Sequence, residues 1–332
     1  MQFRFFPRPL VLAGGFFLLM GLLVSLSLGQ QTTRQQVQTI DIALSIAEQG
    51  GFAPASLRIR AGQTMKLRFH AGDVAHAVAI GPGLGIDLGV IAPGETKEVT
   101  LNLDRPGVYT FYCNLWCSAE HWRMRGVIDV VASDGSLPPA DPDPVIAALT
   151  AAGIDIDAAH TAQSAAHPGD PAETPMTPDA AVLASMAAPD LLRTPAWRRT
   201  HALADVVAAL REANPSEAPD ALTGAAAALW IEPLQGADLT VAAALYAKNC
   251  AACHGETGRG DGTAASLTTT PPAAFTATTL FERRSDVLYA KIRRGGMGTG
   301  MPNFGTLFTP EESWALVDYL WLLALGGESP PE

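Results

Sequence analysis

All four cysteines of this 332-residue chain occur in two close pairs, Cys113 with Cys117 and Cys250 with Cys253. Four cysteines are too few to form a disulfide framework in a chain of this length. Close pairs with histidine and methionine nearby are instead typical of metal and cofactor sites. Because the two pairs lie far apart in the sequence, they predict two domains, each built around a site of its own.

The first pair belongs to the pattern Cys113-x3-Cys117-x3-His121-x2-Met124, and His76 lies one predicted strand and loop earlier. Thiolate, imidazole and thioether are soft ligands, and together they favour copper over hard divalent ions. Two thiolates can bridge two copper ions and leave one imidazole for each ion. A disulfide between the two cysteines and a zinc site are the alternatives, although zinc has little use for methionine.

The second pair belongs to Cys250-Ala-Ala-Cys253-His254, the C-x-x-C-H pattern of covalent haem attachment. Two thioether bonds would fix the porphyrin, and His254 would be the proximal iron ligand. Methionine as the sixth ligand raises the potential of a His-ligated haem and suits electron transfer. Met301, in a Gly-Met-Pro sequence, is the favoured candidate, and Met297 is its competitor.

Residues 36–132 are predicted to be short strands that alternate apolar and polar side chains and are separated by Gly and Pro turns. Residues 57–60 and 65–69 show the alternation most clearly. Strands at this spacing predict an all-β sandwich or small barrel.

Residues 239–325 are predicted to be mainly helical around a Gly-rich middle. Helices are expected at about 240–249 and 286–294. A final helix is expected from the capping box Thr309-Pro310-Glu311-Glu312 to about residue 325. Trp321 in that helix is expected to pack against the helix that precedes Cys250.

The net charge of −11 argues against nucleic acid as a partner. The acidity is concentrated in residues 133–238, which are rich in Ala, Pro and Asp. This composition predicts an acidic, partly helical connector between the two domains.

Arg4 and Arg8 precede an unbroken apolar run over residues 10–28. A helix of that length reaches roughly 28 Å, close to the thickness of a bilayer core. Residues 1–30 are therefore predicted to be a membrane anchor whose arginines stay in the cytoplasm. A cleaved signal peptide ending before Gln30 is the alternative. Both interpretations place the rest of the chain outside the cytoplasm.

These residues carry a resemblance to two known families. The segment from about residue 52 to 131 resembles the CuA domain of cytochrome c oxidase subunit II and of nitrous oxide reductase, which have a cupredoxin fold. Residues 239–325 resemble a class I cytochrome c. By position, the first resemblance implies two bridging thiolates, one capping imidazole for each copper, a weak thioether ligand and a weak carbonyl ligand. Those residues are Cys113 and Cys117, His76 and His121, Met124, and the backbone oxygen of Leu115.

Leu115 is also a departure from the family pattern. Typical oxidase subunits have Glu at this position, where its side chain helps to bind magnesium against the catalytic subunit. Typical subunits also carry a Trp-rich motif before the first His ligand, but this chain has no Trp between Gln30 and His76. Both differences put the commonest oxidase type in doubt.

The resemblance implies a multidomain electron-transfer subunit of a bacterial haem–copper oxidase, with its domains on the periplasmic side of the plasma membrane. Electrons would pass from an external donor, such as a cytochrome c or a quinol-oxidising complex, through haem c to the binuclear CuA centre. They would then reach a haem–copper catalytic subunit, since this chain shows no substrate-reducing site of its own. A CuA subunit of a nitric oxide reductase and a free-standing membrane-tethered carrier are the alternatives.

Overall fold

A computed structural model describes residues 37–139, 142–158, 176–268, 270–296, 299 and 301–326. The predicted anchor, residues 1–30, lies outside this part of the chain, as does Met297. Within the described ranges no helix is both long enough and apolar enough to cross a membrane.

Nine strands form a sandwich of two sheets, as the alternating pattern predicted. The four-stranded sheet has the order β2-β1-β4-β7, and the five-stranded sheet has the order β3-β9-β8-β5-β6. The strands are β1 Gln38–Leu44, β2 Phe52–Ala53, β3 Ser56–Arg60, β4 Thr64–Ala71, β5 His76–Gly81, β6 Ile86–Ile91, β7 Thr96–Asn102, β8 Gly107–Cys113 and β9 Arg125–Val131. The β1–β4 and β3–β9 pairs are parallel, and the other pairs are antiparallel.

The core of the sandwich follows from the alternation of side chains along each strand. In β4, Met65, Leu67 and Phe69 are fully buried and face the other sheet. Phe69 and Phe111 lie with ring centroids 5.8 Å apart. Gly126 leaves room for Phe111, because a Cβ at Gly126 would lie 2.1 Å from that ring. Aromatic packing of this kind fixes the spacing of the two sheets.

Ten helices follow the sandwich in the described part of the chain. They are α1 Pro144–Ala151, α2 Ala180–Ser185, α3 Pro195–Thr200, α4 Leu203–Ala213, α5 Pro219–Ile231, α6 Thr240–Asn249, α7 Ala251–His254, α8 Ala277–Leu280, α9 Ser285–Arg294 and α10 Pro310–Leu325. The predicted capping box at the start of α10 is present, since the side chains of Thr309 and Glu312 each accept the other's backbone N–H.

The helical core crosses the boundary that the sequence suggested at residue 238. Buried side chains of α4 and α5 belong to the same apolar cluster as those of α6, α9 and α10. Trp230 of α5 meets Trp321 of α10 with ring centroids 4.9 Å apart, and both are 1% exposed. The segment expected as a connector therefore contributes to the core around the second cysteine pair.

The sandwich and the helical region also pack against each other. Ala79 of β5 and Tyr112 of β8, which are directly paired, join the helical core rather than the sandwich core. Their neighbours Val78 and Phe111 point the other way, into the sandwich. This arrangement explains why every residue of β5 is buried, although a strand with one solvated face would alternate.

Candidate copper and haem sites

The predicted copper-site residues lie at one end of the sandwich. His76 starts β5 and Cys113 ends β8, and these strands are antiparallel neighbours with Val78 opposite Cys113. The loop between β8 and β9 carries the remaining residues. It is closed by a hydrogen bond from the Cys113 N–H to the Met124 carbonyl at 3.1 Å. Strand pairing and loop closure thus gather residues that are far apart in sequence.

All six predicted ligand atoms form one cluster. The two thiol sulfurs of Cys113 and Cys117 lie 4.0 Å apart, and both cysteines are free. The Cys113 sulfur lies 3.9 Å from Nδ1 of His76 and 3.3 Å from the Leu115 carbonyl oxygen. The Cys117 sulfur lies 3.6 Å from Nδ1 of His121 and 3.3 Å from the Met124 sulfur. Each thiol therefore has one imidazole and one weak donor beside it.

Asp73 orients one of these imidazoles. His76 is fully buried, and its Nε2 lies 2.8 Å from Oδ1 of Asp73, which leaves Nδ1 facing Cys113. Backbone N–H groups of Ile46 and Val74 donate to the same carboxylate at 2.6 Å and 2.7 Å. A carboxylate that holds the outer nitrogen of a ligating histidine is a recurrent feature of metal sites. Burial raises the pKa of Asp73, but these hydrogen bonds outweigh burial and lower it overall.

The two thiols titrate as an asymmetric pair. The hydrogen bond from Cys117 lowers the pKa of Cys113, whereas the same contact and burial raise the pKa of Cys117. One thiolate is thus favoured without a cation, and the second proton leaves when a cation binds. For His76, burial lowers the pKa, but hydrogen bonds to Cys113 and Asp73 raise it overall. The donor set of two thiols, two imidazoles and a thioether fits copper better than zinc.

The second cysteine pair lies at the junction of α6 and α7. Nδ1 of His254 lies 2.9 Å from the Ala273 carbonyl oxygen. Because a carbonyl only accepts, Nδ1 carries the proton and Nε2 keeps its lone pair for a metal. The ring stacks on Phe275 with centroids 4.5 Å apart. Burial lowers the pKa of His254, which keeps it neutral as an iron ligand requires.

Glycines let the chain after His254 fold back over the cysteine pair. The N–H of Gly260 donates to the His254 carbonyl at 2.7 Å. A Cβ at Gly262 would lie 2.3 Å from the Ala252 carbonyl oxygen, so only glycine fits there. With Cys250 and Cys253 both free, these residues fit covalent haem attachment through the C-x-x-C-H pattern.

Met301 lies in the loop between α9 and α10 and packs, partly buried, against the helical core. The loop turns at Gly295, whose φ is +83°, and the Gly296 N–H donates to the Met301 carbonyl at 3.2 Å. The position of Met301 against the same apolar cluster as Cys250 is compatible with an axial role. The assignment of Met301 as the axial ligand stays a prediction.

The two predicted sites border one cavity of about 430 Å³ between the sandwich and the helical region. Cys113, His121 and Met124 line one side, and Cys253 and Pro302 line the other. Sequence reasoning missed this proximity and the role of Asp73. The only sequence signal for Asp73 is its position three residues before His76, whereas nothing in the sequence points to the Ala273 carbonyl.

Comparison with protein families agrees with this architecture. Residues 16–130 match the family "Cupredoxin-like domain", and residues 237–320 match "Cytochrome C oxidase, cbb3-type, subunit III". The chain joins a cupredoxin-like domain to a cytochrome c domain. Copper and haem are the cofactors that these two domain types imply, and the combination is that of an electron-transfer protein.

Three solved structures are similar to parts of the chain. They are the metal-binding domain of the Cu(I)-exporting P-type ATPase CopA from Streptococcus pneumoniae D39, a heme-copper terminal oxidase dimer, and the periplasmic domain of cytochrome oxidase subunit II (CoxB) from Bradyrhizobium japonicum. Their identities are 21%, 17% and 18%, and they cover 29%, 36% and 29% of this chain. The matches span 86%, 95% and 86% of those chains, with TM-scores of 0.23, 0.25 and 0.24.

Proposed function

We propose that this chain is the subunit through which electrons enter a respiratory haem–copper oxidase. Electrons would pass from an external donor to a covalently bound haem c, then to a binuclear CuA centre, and then to the catalytic subunit. The chain itself would reduce no substrate. The shared cavity carries this proposal, because it brings Cys253 of one predicted site to the same space as His121 of the other.

The copper part of the proposal rests on the ligand cluster. Cys113 and Cys117 would bridge two copper ions, His76 and His121 would each cap one, and Met124 and the Leu115 carbonyl would be weak ligands. When bound, such a pair shares one electron over both ions, so its geometry changes little on oxidation. The chain's contribution is a rigid frame, since His76 is fixed by Asp73 and Cys113 by strand β8.

The haem part rests on α7 and the loop before α10. Cys250 and Cys253 would form the thioether bonds, His254 would ligate iron through Nε2, and Met301 would take the sixth position. The Ala273 carbonyl holds the His254 ring in the orientation that this requires. Neutral histidine with a methionine ligand suits a haem that exchanges electrons at relatively high potential.

Leu115 limits the kind of oxidase. Its side chain packs against the sandwich core, and its carbonyl oxygen faces the Cys113 sulfur. A leucine offers no carboxylate for a magnesium ion at the interface with a catalytic subunit. This departure weighs against the commonest oxidase type. The resemblance of residues 107–126 to nitrous oxide reductase keeps a nitric oxide reductase as a second candidate for the partner complex.

The proposed location is the outer face of a bacterial plasma membrane, held by residues 1–30. The test is to purify the tagged chain from native membranes in mild detergent, quantify its cofactors and identify co-purifying proteins by mass spectrometry. We expect covalent haem, a copper-to-haem ratio of about two to one, and a haem–copper catalytic subunit. The identity of that subunit distinguishes oxygen from nitric oxide as acceptor. Isolation of the chain alone, with both centres intact, would refute the subunit role and leave a tethered carrier.

A further inference from the structure

Two polar bridges connect the sandwich to the helical region, and each starts beside a predicted copper ligand. In the first, Arg125 directly follows Met124, and its guanidinium donates to the carbonyl of Asn303. Asn303 lies two residues after Met301 in the same loop. The guanidinium also lies over the ring of Phe304, 5.6 Å from the centroid. A single hydrogen bond therefore joins the loops that carry the two methionines.

The second bridge joins the residue after Cys113 to helix α6, which ends just before Cys250. Asn114 directly follows Cys113, and its side-chain amide donates to Oδ2 of Asp87 at 3.1 Å. The same carboxylate oxygen accepts from Nζ of Lys248, which lies two residues before Cys250. Asp87 thus connects the residue after one predicted copper ligand to the helix that presents a predicted haem attachment residue.

Close packing between the sandwich and the helical region accompanies the two bridges. Gly81, at the end of β5, approaches the backbone of Leu307 so closely that a Cβ would lie 2.3 Å from the Leu307 oxygen. Ala79 and Tyr112 of the sandwich are buried in the helical core. An interface with close backbone contact and two bridges is not the surface expected of two domains on a loose tether.

The two bridges differ in strength. Lys248 is 49% exposed and Asp87 is 32% exposed, and ion pairs at this exposure stabilise little on their own. Arg125 is partly buried against the cavity, and among the described residues it makes no ion pair with a carboxylate. A charged donor to a carbonyl in such a place forms a stronger bond than a neutral one. We therefore expect the Arg125 bridge to dominate.

We propose that Arg125 and, more weakly, Lys248 are positioning residues. They hold the predicted copper site and the predicted haem site at one fixed separation. Electronic coupling falls steeply with distance, so electrons would pass between the two centres only in this docked arrangement. The effect on electron transfer rests on the proposed function. The docking itself follows from contacts within the chain.

The test compares internal electron transfer in the full chain with both cofactors bound. The variants are Arg125→Gln, Lys248→Gln and the double substitution. The matched controls are Arg123→Gln, which removes a cation paired with Glu120 inside its own loop, and Lys66→Gln, which removes one paired within the sandwich. Flash reduction of the haem gives the internal rate, and pulsed EPR of the oxidised protein gives the distribution of distances between the centres.

We expect the double variant to transfer electrons about tenfold more slowly, equivalent to about 1.4 kcal/mol. The distribution of distances in the double variant should broaden. The transfer rates of both controls should stay within about twofold of the wild-type rate. Absorption spectra and potentials of the two centres should stay unchanged, which separates positioning from damage to a site. A double variant with the wild-type rate and a narrow distribution would overturn the proposal.

Failure of the proposed function gives a different result. If the wild type binds both cofactors but shows no internal transfer, electron passage between the centres is wrong. The distance distributions then still test whether docking is fixed. A narrow wild-type distribution that broadens in the double variant supports the positioning role, whatever the transfer rate.

Discussion

Replacement of Gly81 by alanine tests the interface at a point of close backbone contact. The added Cβ would lie 2.3 Å from the Leu307 oxygen and 3.3 Å from the Leu307 carbonyl carbon. Carbon and oxygen atoms that are not bonded do not approach so closely, and the neighbour is backbone rather than a flexible side chain. The backbone at Gly81 lies outside the left-handed region, so alanine is excluded by space and not by conformation.

The size of the effect follows from how the strain is relieved. Overpacking of a well-packed contact costs about 1–3 kcal/mol. Gly81 belongs to the sandwich and Leu307 to the helical region, so separation of the two relieves the clash without disturbing the sandwich core. Only the contacts of Ala79 and Tyr112 with the helical core are lost. The strain therefore weakens docking, and the equilibrium constant for docking should fall roughly five- to 150-fold.

The assay is the same internal electron transfer, together with thermal unfolding of the sandwich. Gly72→Ala is the matched control, because its Cβ would lie 3.4 Å from the Leu44 oxygen, an ordinary contact within the sandwich. We expect Gly81→Ala to slow transfer and leave the stability of the sandwich unchanged. Wild-type transfer and a narrow distance distribution in Gly81→Ala would refute the close contact and the fixed docking inferred from it.

Three further predictions concern separate parts of the chain. Asp73→Asn should lower copper affinity roughly 10–100-fold, because a neutral amide replaces the carboxylate that orients His76. Competition with a chelator measures the affinity. Trp230→Ala should lower the free energy of unfolding of the helical region by about 3–5 kcal/mol, measured by urea titration of the haem absorbance. Burial raises the pKa of Asp87, but its hydrogen bonds hold the pKa below the ordinary 3.8. Docking of Arg125→Gln, which relies on the Asp87–Lys248 bridge, should thus be constant near neutrality and weaken below about pH 4, as pulsed EPR can follow.

The first two predictions have control variants, and each prediction has an outcome that would contradict it. Asp41→Asn removes an exposed carboxylate paired with Arg68 and should leave copper affinity unchanged. Leu191→Ala truncates an exposed side chain and should leave the helical region stable. Equal affinities for the two Asp variants, or equal stabilities for Trp230→Ala and Leu191→Ala, would contradict the corresponding argument. Loss of docking between about pH 5 and 7 would show that a group other than a carboxylate with a lowered pKa controls it.

The sequence predicted the local features of both sites because each pattern is nearly continuous in the chain. Residues 113–124 form one loop, so the spacing of Cys, His and Met already determines which side chains face each other. The strands followed from alternation in the same way. Three of the five helices described in residues 239–325 were predicted, and the last of these three was marked by its capping box. His76 needed the β5–β8 pairing as well, which the alternating pattern allowed but did not specify.

The role of residues 176–234 could not be predicted from composition. An Ala- and Pro-rich acidic segment is typical of a tether. Alanine also lets a helix pack closely against its neighbours, and Ala225, Ala226 and Ala227 of α5 are fully buried. Trp230 of the same helix packs against a distant ring. Its partner, Trp321, lies about ninety residues away in sequence, and nothing local to α5 reveals it. Packing between distant segments thus decides whether such a stretch is a linker or a core element.

Strand β5 shows why the copper site and the docking cannot be independent. It begins with His76, whose imidazole faces Cys113, and it ends with Gly81, a point of close backbone approach to the helical region. Ala79 between them belongs to the helical core, and Val78 belongs to the sandwich core. A strand with both faces packed resists displacement, since any shift breaks close contacts on both sides. The same strand therefore fixes the position of an imidazole at the copper site and the position of the helical region, so a rearrangement of docking that bends β5 must also move His76.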